Sequence, residues 1–180
     1  MPVVRGKDIS VLFSADDIAA RNHAIAEAIK ASKLDNPLVI SVLKGSFVFA
    51  ADLIRALHAV GLSPEVDFIS ISSYGSGTEA GEPVVLRDVE TDVKGRDLLL
   101  IDDILESGGT LTFARNLMFE RGANRVEIAV LLDKTMRRKS AISAEFVGFE
   151  CPDKFVVGYG MDVGHAFREL PYVGEVVGDA

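Results

Sequence analysis

LLLIDDILESGGTL, residues 98–111, is the stretch on which the rest of the chain turns. Four apolar residues run into Asp102 and Asp103, and a third acid, Glu106, precedes Ser107, Gly108, Gly109 and Thr110. A short apolar run of this kind is the mark of a strand buried on both faces. The glycines open a turn into a helix, whose first amides lack intrahelical partners and attract anions. Carboxylates repel phosphate, so acids beside an anion cradle make sense only if they hold another part of the same ligand. Sugar hydroxyls are donors, and Mg²⁺ prefers carboxylate oxygen. A ribose 5-phosphate unit offers a phosphate to the cradle and a diol to the acids. The plainer alternative is a helix entry with Thr110 as its N-cap.

Working outward, buried strands alternate with helices. Ser14 and Asp17 form a capping box, and Ile18, Ile25 and Ile29 follow at helical spacing. LVISVL (residues 38–43) reads as a buried strand, broken by Lys44-Gly45. A helix is expected over 46–60, closed by Gly61, then an alternating strand over 66–74. GSGTEAGEP (75–83) is turn-rich and reads as a mobile loop, with a return strand over 84–91. A helix over 110–121 ends at Gly122, and 125–132 is another buried strand. EFVGFE, FVVGYG and YVGEVV are short later strands, so the C-terminal third implies an antiparallel part or a small cap. The pattern predicts an α/β fold, a parallel sheet covered on both faces.

In such sheets ligands bind beyond the carboxyl ends of the strands. Three strands end in polar pairs: Lys44-Gly45, Asp102-Asp103 and Asp133-Lys134. One such junction is an ordinary loop; three on one edge are a site.

Bulk properties narrow the field. The 180 residues fit one domain, and a net charge of −8 argues against a nucleic-acid surface, since the basic run 134–139 is too short to make one. The single cysteine, Cys151, suits a reducing compartment. With no signal peptide and no apolar run near the ~20 residues of a membrane span, the expectation is a soluble, cytoplasmic protein. LLLIDD is also similar to the acidic strand of nucleotide triphosphatases, but no G-x-x-x-x-G-K-[ST] accompanies it. Receiver domains share the acid pair, yet carry it near their start.

LLLIDDILESGGTL resembles the phosphoribosyl-pyrophosphate motif of type I phosphoribosyltransferases. VLKGSFVFAADL, VDFISISSYGSG, LLDKTMRR, FVGFECPDKFVVGYGMD and FRELPY extend the likeness in order along nearly the whole chain, and are similar to the bacterial hypoxanthine phosphoribosyltransferase family. The resemblance implies residues 1–180 as one domain, with a central parallel sheet, a hood formed from the terminal segments and a flexible loop. It implies purine salvage: transfer of the phosphoribosyl group from phosphoribosyl pyrophosphate to hypoxanthine or guanine, giving IMP or GMP and pyrophosphate, with Mg²⁺ as cofactor and a homodimer or homotetramer as the assembly.

The implied roles are specific. Asp102 and Asp103 hold the ribose hydroxyls and favour positive charge developing on the sugar, and Ser107, Gly108, Gly109 and Thr110 cradle the 5′-phosphate. Lys44 and Gly45, after a non-proline cis peptide, and Arg168 take the pyrophosphate. Ser73 and Tyr74 open the closing loop. Lys134 donates to the purine 6-oxo group, Phe155 stacks on the base and backbone at Val156 reads its edge. Asp162, beside the base, ligates the Mg²⁺ together with Asp102 and Asp103. Two acids depart from the family pattern: Asp102 stands for a usual Glu, and Glu106 for a usual Asp that manages the proton on purine N7. Glu106 keeps the carboxylate on a longer arm, and we expect it to keep the acid/base role. A non-catalytic phosphoribosyl-pyrophosphate sensor on the same fold is the alternative. His23 and His58 read as surface or packing residues, Cys151 as packing, Phe47 and Phe49 as core or subunit contact, and Arg137 and Arg138 as solvated or at a subunit interface. His165 is expected near the pyrophosphate and Mg²⁺ residues, and Lys154 reads as near the base or as merely solvated.

Overall fold

A computed structural model describes residues 2–34, 36–73 and 83–177. Six strands form the main sheet: β3 (Leu38–Leu43), β4 (Glu65–Ser73), β5 (Pro83–Arg87), β6 (Asp97–Leu105), β7 (Arg125–Asp133) and β8 (Phe146–Glu150). Their order is β5-β4-β3-β6-β7-β8, all parallel except β5, which returns antiparallel to β4. The return strand stops at Arg87, short of the expected Thr91, because the Glu90 and Thr91 amides instead donate to the Asp67 carboxylate at 2.8 Å. The loop residues 74–82, with Tyr74, lie outside the described residues.

Successive strand residues face opposite sides, so each buried strand feeds two cores. Val39, Leu99 and Ile101 face α1 (Ala15–Ala31) and α2 (Phe47–Ala59), against Ile25, Ile29, Phe49 and Leu53. Leu38, Ile40, Leu98 and Leu100 face α3 (Gly109–Glu120), against Leu111, Ala114 and Met118. The expected capping box is formed: the Asp17 amide donates to Ser14 Oγ at 3.1 Å, and the Ser14 amide to the Asp17 carboxylate at 3.2 Å. Gly61 and Gly122 follow α2 and α3 in the left-handed region, closing both as expected.

A smaller sheet, β1 (Val3–Val4), β2 (Lys7–Phe13), β10 (Val173–Val177) and β9 (Val156–Val157) in that order, is antiparallel throughout and draws on both ends of the chain. Only Val156 and Val157 of FVVGYG are strand. Gly158, Tyr159 and Gly160 all adopt positive φ, which ends the extended run. Among the described residues, no helix is long and apolar enough to cross a membrane.

The strand order reverses between β3 and β6. The chain leaves β3 for β4 and β5 on one side, then crosses back to lay β6, β7 and β8 on the other. Diverging connections on the two sides open a crevice at the carboxyl ends of β3 and β6.

Candidate active site

The three polar strand ends meet at that crevice, since β3, β6 and β7 are parallel neighbours. The Leu43–Lys44 peptide is cis, as the resemblance implied. Ser46 turns its hydroxyl back on β3, donating to the Val42 carbonyl at 2.5 Å and meeting Ser41 Oγ at 2.8 Å, which fixes the Lys44-Gly45 turn from beneath. Gly45 then lies against the Asp103 carboxylate across the crevice. A Cβ at position 45 would stand 2.7 Å from Asp103 Cγ, so only glycine leaves the acid room.

A cleft of about 640 Å³ opens here, lined by Lys44, Gly45, Asp103, Glu106, Lys134, Arg137, Asp153, Lys154, Phe155, Val156, Asp162 and Arg168 among others. Beside it is a smaller cavity of about 170 Å³, lined by Asp102, Glu106, Ser107, Gly108, Thr110 and neighbouring apolar residues. Ile104 and Glu106 line both, so the two spaces adjoin. The small cavity gathers the residues expected to form the cradle. Gly108 caps α3 with φ 86°, so Thr110 sits inside the first turn and is not the N-cap. Thr110 and the left-handed Gly108 both line the cavity at the start of α3. The Gly108 Cα also packs against Ile142, where an added Cβ would come within 2.7 Å of Cγ2.

The acid pair does not act as a block. Consecutive strand residues point apart, and Asp102 lines the cradle whereas Asp103 lines the cleft. Asp102 thus shares the small cavity with Ser107, Gly108 and Thr110. Burial, then the adjacent Asp103 charge, pushes the Asp102 carboxyl well above the usual carboxylate range. Burial also raises Asp103, opposed by hydrogen bonds from Asp102 and the Ile104 amide and by the Arg168 charge.

At the other end of the cleft, Lys134 is buried at the close of β7, its Nζ donating to the Lys154 carbonyl at 2.7 Å with two donors left over. Glu106 Oε1 lies 3.9 Å from both Lys134 Nζ and Arg137 Nε. Arg137 also pairs with Asp153 at 2.8 Å. Phe155 offers an exposed ring, 62% accessible, and Val156 supplies β9 backbone at the cleft wall. Asp162 and Arg168 pair at 2.8 Å, Arg168 donates to the Gly160 carbonyl at 2.6 Å, and the His165 amide donates to Asp162 at 2.7 Å. Lys154 lines the cleft while pairing with Glu175. Ser73 ends β4, whose Ser70, Ile71 and Ser72 line the same cleft.

Arg137 is largely exposed, as a solvated role implies, whereas Arg138 departs from that expectation. Arg137 lines the cleft. Arg138 is nearly buried; its guanidinium donates to the Leu105, Glu106 and Ile142 carbonyls at 3.1, 2.8 and 2.8 Å and pairs with Asp133. These bonds tie the turn after β6 to the segment that follows β7. Phe49 is core and Phe47 is half-exposed, His23 is exposed and Cys151 is buried.

Residues 14–163 match the family model for the phosphoribosyl transferase domain. The chain belongs to the phosphoribosyltransferase family. It is 43% identical over 166 residues to the hypoxanthine-guanine phosphoribosyltransferase of Bacillus subtilis (strain 168), covering 91% of each. It is 44% identical over 174 residues to the hypoxanthine phosphoribosyltransferase of Escherichia coli (strain K12), covering 94% of this chain and 96% of that one. A mutant hypoxanthine phosphoribosyltransferase from Trypanosoma cruzi, solved in complex with the product IMP, superposes with a TM-score of 0.88 at 30% identity, over 98% of this chain and 94% of that one. The main sheet and its flanking helices are thus a type I phosphoribosyltransferase fold.

Proposed function

We propose that this phosphoribosyltransferase serves purine salvage, moving the 5-phosphoribosyl group from phosphoribosyl pyrophosphate to N9 of hypoxanthine, and of guanine, to give IMP or GMP and pyrophosphate. The observation that carries this is the continuity of the cradle and the cleft through Ile104 and Glu106, with a lysine at the far wall. The length of such a nucleotide can lie along it: phosphate on the first turn of α3 with Ser107 and Thr110, ribose at Asp102 and Asp103, base at Phe155.

The ribosyl carbon gains positive charge as pyrophosphate departs, and Asp103 faces that charge from the β6 end. Lys44, Gly45 and Arg168 would receive the pyrophosphate, with Ser73 and Tyr74 at the closing loop. Lys134 offers donors only, so it favours a 6-oxo over a 6-amino purine, and Val156 backbone reads the edge of the ring. Glu106, between two cations, would take the proton from the purine.

Mg²⁺ fits this donor set. Among the described residues there is no cluster of three or more metal-ligating side chains, and Mg²⁺ is ordinarily held by one or two carboxylates with substrate phosphates completing the shell. Asp162, with Asp103 across the cleft, would hold it, whereas Asp102 faces the cradle; bound there it would neutralise charge on the leaving group. The small terminal sheet would act as the hood, since β9 carries Val156 to the cleft wall. The single, buried Cys151 accords with the reducing cytoplasm. A second copy of the chain, as a dimer or within a tetramer, would cover half-exposed Phe47, and light scattering would measure the assembly.

Incubation with Mg²⁺, phosphoribosyl pyrophosphate and each of hypoxanthine, guanine, xanthine and adenine tests the reading. Nucleotide is expected from hypoxanthine and guanine and not from adenine. No nucleotide from any base would leave a sensor on this fold as the better account.

A further inference from the structure

The loop carrying Asp162 and Arg168 has no regular structure to hold it, yet it forms one wall of the cleft. Its backbone is tied to itself: the Tyr159 amide donates to the Leu170 carbonyl at 2.8 Å and the Gly160 amide to the Arg168 carbonyl at 3.0 Å. It also rests on the Lys44-Gly45 turn. A Cβ on Gly160 would lie 3.5 Å from both the Gly45 carbonyl carbon and Val48 Cβ, and closer still to the Gly45 oxygen. What fixes the loop sideways lies one residue earlier, on the far side from the cleft. The buried Tyr159 phenol accepts from Asn22 Nδ2 of α1 at 2.8 Å and donates to Asp52 Oδ2 of α2 at 2.6 Å. Burial, then the bond to Asp52, pushes the phenol up, so it stays a donor throughout the working pH range.

We propose that Tyr159, through Asp52 and Asn22, is a positioning residue for the leaving-group end of the substrate. It ties the loop bearing Asp162 and Arg168 to the helix that begins directly after Lys44-Gly45. One hydroxyl thus sets the distance between the two halves of the pyrophosphate subsite without touching the ligand. The base end of the cleft has supports of its own: Lys134 bonds the Lys154 carbonyl, and Val156 pairs with Glu175 of β10. Loss of the phenol therefore weakens grip on pyrophosphate and leaves recognition of the purine alone. The inference rests on the activity proposed above, and deepens it.

Tyr159→Phe in the full chain, with Mg²⁺ present, is the test. Expected is a three- to tenfold rise in KM for phosphoribosyl pyrophosphate and in the calorimetric Kd for pyrophosphate, with KM for hypoxanthine and kcat within twofold of wild type. Asp52→Ala, at a partly exposed position, should reproduce the pattern if Tyr159→Phe does not fold. Asp52→Asn keeps an acceptor for the phenol and should restore tight pyrophosphate binding. A lowered Tm with unchanged pyrophosphate affinity, or an equal loss in every kinetic constant, overturns the proposal. Should the wild type form no nucleotide, the proposed activity fails, while the pyrophosphate titration still decides whether the anchor positions this subsite.

Discussion

Gly45→Ala is the sharpest probe of the crevice at the strand-order reversal. Gly45 is absent from the positions of positive φ, so alanine is sterically allowed in the backbone. The obstruction is the acid opposite. The new Cβ would stand 2.7 Å from Asp103 Cγ, and ordinary contact begins at 3.4 Å, so the carboxyl carbon must retreat by about 0.7 Å and its nearer oxygen by more. The retreat breaks the 3.0 Å hydrogen bond from the Ile104 amide or turns the carboxylate off the sugar. A displacement near 1 Å at a reacting centre costs roughly 10²-fold, or about 2.7 kcal/mol. We therefore expect kcat/KM for phosphoribosyl pyrophosphate to fall between roughly 30- and 100-fold, read as IMP formation by absorbance. Folding should survive, because losing glycine freedom in the unfolded chain contributes about 0.4–1 kcal/mol of stability against the clash. Activity within threefold of wild type, at unchanged Tm, would refute the placement of Asp103 against Gly45 as a catalytic constraint.

Arg138→Ala leaves several turn carbonyls without their donor; we expect roughly 2–3 kcal/mol of lost stability, a fall in Tm of roughly 5–10 °C by calorimetry, and weaker phosphoribosyl-pyrophosphate binding. Arg138→Lys should recover less than half of this, since one ammonium cannot span the acceptors that the planar guanidinium reaches. Asp102 holds its proton to higher pH in the folded chain than in the unfolded one, so above the ordinary aspartate range the unfolded state has released a proton that the folded state keeps, and stability falls as pH rises. Ligand-free Asp102→Asn should then melt roughly 2–4 °C above wild type at pH 8, with the gap closing toward pH 4; a constant gap would contradict the raised acid. Phe155→Ala should raise KM for hypoxanthine by roughly 5- to 100-fold, the worth of one base–aromatic stack, without lowering Tm, because the ring is exposed. Glu106→Gln should lower kcat by roughly 10²-fold with little change in KM, and unchanged kcat would remove Glu106 from proton transfer.

Local periodicity and punctuation were enough for the elements themselves. LVISVL is β3 to the residue, Ser14 and Asp17 cap α1 as their spacing implied, and Gly61 and Gly122 close α2 and α3. The polar ends of β3, β6 and β7 were visible as well, because a buried parallel strand is apolar until it leaves the sheet. Neighbours in space were not visible. That Gly45 meets Asp103 follows from β3 lying beside β6, an adjacency set by packing across the whole sheet rather than by either segment. That Asp102 and Asp103 point apart follows from strand alternation, but which cavity lies on each face of β6 is decided by the segments packed there. Tyr159 and Asn22 stand 137 positions apart, and Arg138 reaches carbonyls 32 and 33 positions back, so no local pattern marks them. Side-chain chemistry and chain period are written locally, whereas a hydrogen bond between distant segments exists only after the hydrophobic layers have fixed where those segments stop.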